Sequence, residues 1–440
     1  MELVYLKGTT VENGRYLPSN KEPRLFFRND TGAEIFAIDE PSLFRNILLL
    51  GAAGSGKTNI INQILPQLRA WKDDPYTMLV FDTKADYVSH PGFFRRGDYI
   101  LGSSAAFRDK SQIWNIFDEV LADGDDPFCY ESNAKEIAAV LFTGRGSATQ
   151  PFFAQAAQEI FAGTLIYFVR RSKDGGAHWK KNLNNRYLTK FLTRQRPEQL
   201  RECFSLYDDL GGLATYFGDG SNTQSLGVFG ELRSMMDECF QGVFAMDPGE
   251  GPSFSIRRAI REKQNRAIFL EYDMSGGERL TPMYRLIVDL ALKEALSNTA
   301  SGRVHLLLDE LKLLPKLNHL HDALNYGRSK NVSVVAGIQN VNQLYAIYGE
   351  ARAGEILEGF ATLIALKTND HASREYVSLR FGPNKQACRY YTPSYDPVDC
   401  HWDGRTVEHW HQQELQIGEA VVGLASQTHP FLFRFMEDKF

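Results

Sequence analysis

Apolar residues along this chain fall into short solid runs separated by helical spacings, with one long interruption. Near the start LVYLK, RLFFRND and EIFAID read as short strands, with turn signals at Asn13–Gly14 and in the TG pair before EIFAID. NILLL (46–50) is wholly apolar and runs straight into a glycine-rich stretch, as a buried strand does. NIINQILPQLRAW follows with helical spacing, and Pro66 is expected to kink or shorten that helix. Strand-length apolar runs recur in YTMLVFDTKADY (76–87), RAIFLEYD (266–273), VHLLLDE (304–310), VSVVAGIQ (332–339), ATLIALK (361–367) and EAVVGLA (419–425). Helical patterns such as MYRLIVDLALKEAL (283–296) and LHDALNYGRSK (320–330) lie between them. Buried strands alternating with helices predict an α/β fold with a mostly parallel, doubly wound sheet.

The interruption runs from about Asp125 to Ile260, where AKEIAAVLF, FFAQAAQEIFAGTLIYFVRR and LGVFGELRSMMDECF all read as helices and no buried strand stands out. The pattern therefore predicts an all-α domain, 125–260, inserted between strands of the sheet, after a strand-rich segment, 1–45.

Gly51-x-x-x-x-Gly56-Lys57-Thr58, with a strand before and a helix after, fits a phosphate-binding loop. Gly51, Gly54 and Gly56 and the small Ser55 let successive N–H groups turn inward on phosphates at a helix N-terminus. Lys57 is placed for the β- and γ-phosphates of ATP, and the Thr58 hydroxyl for Mg²⁺. VHLLLDE ends a buried strand in two acids, Asp309 for the metal side and Glu310 to polarise an attacking water. A carboxylate beside a metal ligand suits a hydrolase rather than a kinase. The segments 46–124 and 261–440 are then the two parts of one nucleotide-binding domain.

Composition narrows the picture only locally. A net charge of −5 over 440 residues leaves any DNA contact to patches. Residues 170–201 are such a patch, with ten basic residues against two acidic ones and Trp179 and Tyr187 among them, which fits either a solvated helical surface or a DNA backbone or acidic-partner surface. Five scattered cysteines without a CxxC pair favour a reducing compartment. The start lacks a signal-peptide pattern and no run of about 18 apolar residues occurs, so a cytoplasmic location is expected. Cys400, His401, His409 and His411 match no zinc spacing and, near Pro393 and Pro397, read as an extended loop.

The stretch LLLDELKLLPKLNHLHDALNYGRSKNVSVVAGIQNVNQLYAIYGE (306–350) resembles the second ATPase motif of type IV secretion coupling proteins. Asp309-Glu310, Leu314-Pro315, Gly327-Arg328, Gln339, Gln343-Leu344 and Tyr348-Gly349 carry the likeness, as do Asp82 and Lys84 after the first loop. The resemblance, from about residue 24 onward, implies a RecA-like P-loop ATPase of the FtsK–HerA class that binds ATP and Mg²⁺ and forms a hexameric ring. It implies that Gln339 senses the γ-phosphate and that Arg328 acts across a subunit boundary. It further implies DNA as substrate, a relaxase or effector protein as partner, and a secretion channel. Family members begin with membrane-spanning helices. Here a strand-rich segment stands in that place, so membrane docking is left to a partner chain, to a membrane-free branch or to another DNA-handling task. Where the family often has Phe after the second acid, this chain has Leu311. Two other readings stand beside the motor: a nucleotide-gated receptor for a protein substrate, and a HerA-like motor in repair or anti-phage defence.

Overall fold

A computed structural model of the chain describes residues 2–13, 23–33, 35–71, 73–146, 151–217, 223–249, 253–297, 302–391, 393–394 and 397–437. Gly14 of the predicted first turn lies outside the described residues. The chain divides into two compact units, one of Met1–Asp82, Asp86–Arg96 and Ala295–Phe440, the other of Thr83–Ala85 and Gly97–Glu294.

In the first unit the strands lie in the order Phe431–Arg434, Glu419–Gly423, Thr362–Leu366, Ile47–Leu50, Val332–Ile338, Arg303–Leu308, Tyr76–Asp82. The last five are mutually parallel, Glu419–Gly423 pairs antiparallel with Thr362–Leu366 at one side, and Phe431–Arg434 pairs antiparallel with Glu419–Gly423 in turn. The five parallel strands are buried at every position, which is why they read as solid apolar runs rather than alternations. Helix Lys57–Ala70 runs through Pro66 instead of ending there. Ile60, Ile61, Ile64, Leu65 and Leu68 anchor it to the core on both sides of the proline, which outweighs one missing N–H.

A three-stranded antiparallel sheet joins Glu2–Lys7 to Pro383–Tyr391 and Pro397–Arg405. The extended loop expected around Cys400 and His401 is therefore a strand, its pattern hidden because most of its residues face solvent without alternation. His409 and His411 sit instead on helix His409–Glu414, where His409 meets Glu375 at 2.9 Å and His411 caps the Glu408 N–H.

The second unit holds helices Pro127–Phe142, Phe152–Asp174, Asn185–Arg194, Pro197–Phe204 and Thr223–Cys239 and all but the last two residues of Gly277–Leu296, with a parallel strand pair, Tyr99–Gly102 and Arg266–Glu271. It is wider than the predicted 125–260, because buried polar contacts tie in both flanks. Fully buried Glu119 accepts from Trp114 Nε1 (2.8 Å), Ser255 Oγ (3.0 Å) and Ile256 N (2.6 Å). Arg257 bridges Glu294 (2.9 Å) and Asp123 (2.7 Å). Such a network fails if any member is removed, so the flanks fold with the helices. Among the described residues one helix, Phe152–Asp174, is long and apolar enough to cross a membrane, but 72% of its apolar window is buried in the protein. That is how a core helix behaves.

Candidate nucleotide site

Parallel strands deliver their C-terminal ends to one edge of the sheet, and here three adjacent ends carry the motifs. Strand Val332–Ile338 lies between Ile47–Leu50 and Arg303–Leu308, pairing Ile338 with Leu50 and Ala336 with Leu308. Gly51, Gln339 and Asp309 therefore emerge side by side.

The loop after Leu50 is braced from three directions. Gly51 N donates to Ile338 O (3.1 Å), Ala52 N to Lys367 O (2.9 Å), and Gly418 N to Ser55 O (3.1 Å). A Cβ on Gly51 would stand 2.5 Å from Ser55 Oγ and 2.8 Å from Leu366 Cβ, so only glycine fits. Gly54 plays a different part from Gly51. It is exposed, and a Cβ there would meet nothing within 4 Å. Its left-handed φ of 75° is what calls for glycine, so Gly54 shapes the turn of the loop and is not packed against the rest of the cradle. Gly56, with φ of 113°, turns the chain into helix Lys57–Ala70 as its N-cap. Lys57 is buried and donates through Nζ to the carbonyls of Gly51 (2.6 Å) and Ala52 (3.3 Å).

Asp309 and Glu310 are both buried. Gln339 donates through Nε2 to Glu310 Oε2 at 2.7 Å, which leaves Glu310 Oε1 buried without a hydrogen-bond partner. Burial pushes the Glu310 carboxyl above its ordinary pKa, against the pull of the Gln339 amide and Lys57. Sequence reasoning missed two residues here. Gly337 brings its strand so close that an added Cβ would lie 2.1 Å from the Asp309 carbonyl oxygen; a glycine inside an apolar strand run was the available signal. Tyr87 is fully buried, with Asp309, Asp82 and Thr58 around its hydroxyl. Burial first, then the two carboxylates, hold its phenol well above the usual tyrosine value.

Arg328 stands elsewhere. It is exposed on the turn Gly327–Lys330, before strand Val332–Ile338 begins, whereas Gln339 follows the end of that strand. At about 3.3 Å per residue the strand separates them by roughly 20 Å, so the structure does not bring Arg328 to its own chain's loop. Asp82 is buried at the end of its strand and Lys84 is exposed.

The residues present fit a nucleotide with its metal. A backbone cradle that a Cβ on Gly51 would fill, a buried ammonium, two buried acids and the orphaned Ser55 Oγ and Glu310 Oε1 converge at one sheet edge. This is the arrangement of a RecA-like P-loop NTPase, and it sets the class. Within that class, the sequence pattern of the type IV secretion-system coupling protein DNA-binding domain matches residues 35–396, and the chain belongs to that family. Coupling protein TraD of Escherichia coli (strain K12) is 24% identical over 407 residues, or 88% of this chain and 52% of TraD, so the chain spans about half the length of that curated relative. The bacterial conjugative coupling protein TrwBdeltaN70, in an unbound form, aligns with TM-score 0.76 at 21% identity, covering 99% of this chain and 94% of its own. TrwB in complex with ADP and Mg²⁺ aligns at 0.73 and 22% identity, with coverages of 99% and 94%. At these identities the structural likeness is one of fold.

Proposed function

We propose that this chain is the ATP-hydrolysing body of a type IV coupling protein, using turnover to move DNA, or DNA bound to a relaxase or effector protein, toward a secretion channel. The observation that carries the reading is the convergence of the loop 51–58, Asp309-Glu310 and Gln339 on adjacent strand ends, in a member of a coupling-protein family. Bound Mg²⁺–ATP would supply the phosphoanhydride and a cation that spreads charge over its oxygens. The backbone of 51–58 and Lys57 would hold the phosphates, and Thr58 and Asp309 would hold the metal. Glu310, held by the Gln339 amide at 2.7 Å, takes the proton of the attacking water through its free oxygen. Its burial makes it a stronger base than a solvated carboxylate. Arg328 serves a neighbouring subunit in a hexameric ring. On this reading the protein works in the cytoplasm, at the inner face of the membrane through a partner chain.

The test is the ATPase rate measured against DNA concentration at several salt levels. Stimulation that weakens as salt rises is expected. A rate indifferent to DNA, with ATP-dependent capture of a protein substrate, would overturn the motor in favour of a nucleotide-gated receptor.

A further inference from the structure

The turn after strand Tyr76–Asp82 is built to present one side chain. The Asp82 carboxylate accepts from the backbone N–H groups of Asp86 (3.0 Å), Tyr87 (3.0 Å) and Val88 (2.9 Å). The chain reaches them through Ala85 in the left-handed region, with φ of 59°, a conformation that persists only where surroundings enforce it. What this clamp aims is the Tyr87 ring, which is fully buried and ends at Thr58 and Asp309. Its hydroxyl closes no hydrogen bond of good geometry with any described residue. A buried hydroxyl without a partner costs stability, and a phenylalanine would fill the same space without that cost.

We propose that Tyr87 is a positioning residue for the metal side of the nucleotide site. With nucleotide and metal bound, its phenol would close on the Asp309 carboxylate as donor and on the Thr58 hydroxyl as acceptor, and so fix the two oxygen-bearing side chains on the metal side. The inference rests on the nucleotide reading of the site and extends it to a residue outside both sequence motifs. Side chains that orient metal-facing groups commonly change metal affinity about tenfold to a hundredfold when lost.

Tyr87→Phe is nearly isosteric and is expected to fold. Binding of a fluorescent ADP analogue is followed first in EDTA, then while Mg²⁺ is titrated in, and thermal unfolding is recorded without ligand. The variant should bind metal-free nucleotide like the wild type, unfold at the same or a higher temperature, and need about tenfold or more Mg²⁺ for half-saturation. A Mg²⁺ requirement equal to the wild type's would overturn the positioning role. A lower unfolding temperature, with Mg²⁺ dependence unmoved, would make Tyr87 a packing residue only. Failure of the wild type itself to bind nucleotide would refute the underlying site, and that result is read before any variant is compared.

Discussion

Glu310 and Gln339 meet at 2.7 Å, and substitution tests the proposed role of Glu310 as the base. Glu310→Gln keeps the shape but loses the base, so nucleotide should bind while turnover falls by about a hundredfold or more; Lys57→Ala should instead lose binding. A Glu310→Gln chain that hydrolyses ATP at the wild-type rate would displace Glu310 as the base. Gly337→Ala probes the support beneath them. Its Cβ would drive into the Asp309 carbonyl, costing about 1–3 kcal/mol of unfolding free energy, read as a lower urea midpoint. His305, on the strand that leads into Asp309, carries a pH signature. Desolvation, with Arg303 adding to it, lowers its pKa from 6.5 to about 3, and its Nδ1 pairs with Ser333 Oγ at 2.7 Å. The unfolded chain binds the imidazole proton more readily, so the stability that His305 contributes is whole above pH 6.5 and is lost as pH drops toward 3. Between pH 6.5 and 5 that contribution falls by about 1.6 kcal/mol. The stability difference between wild type and His305→Gln across that range checks it, narrowing as pH falls.

At the scale of elements, the basic stretch 170–201 separates into engaged and free parts. Arg170 is tied to Glu131 (2.7 Å) and Asp209 (2.6 Å), and Arg171 lies 5.3 Å over Trp179. Trp179 packs edge-on against Phe168 and Tyr187, so those rings form a cluster rather than an open platform for bases. Helix Asn185–Arg194, by contrast, exposes Arg186, Lys190 and Arg194 at spacings of four, one stripe along one face. If that stripe tracks a DNA backbone, changing all three to Gln should flatten the salt slope of DNA binding by about 2 to 3 and leave basal ATPase intact. An unchanged slope would exclude the stripe from DNA. The same comparison marks what sequence could carry. Solid apolar runs announced the parallel strands, and loop chemistry announced Gly51–Thr58, although the sequence did not separate Gly51, which packing requires, from Gly54, which only its backbone angle requires. The strand Pro397–Arg405 escaped because its exposed residues lack alternation, and Tyr87 escaped because only the fold sets it beside Asp309 and Thr58. The bounds of the helical unit escaped too, since Glu119 and Glu294 find their partners far along the chain.

At the scale of the whole molecule the question is whether one chain completes a site. Arg328 is exposed at the start of the strand whose far end holds Gln339, so in its own chain it stands away from the phosphates. A guanidinium placed there can neutralise a transferring phosphate only if it belongs to an adjacent copy, and closed rings repeat one such contact at every boundary. Arg328→Ala should then lower turnover about a thousandfold while leaving nucleotide affinity in a lone subunit unchanged. Mixing decides between the arrangements. Arg328→Ala chains keep the base and Glu310→Gln chains keep the finger, so random co-assembly at equal amounts pairs an intact base with an intact finger at about a quarter of the boundaries. Two inactive pools should therefore recover measurable hydrolysis on mixing. If Arg328 serves its own chain or none, the mixture stays as inactive as its parts although co-assembly is shown by size, and the ring would have to draw its cation from elsewhere.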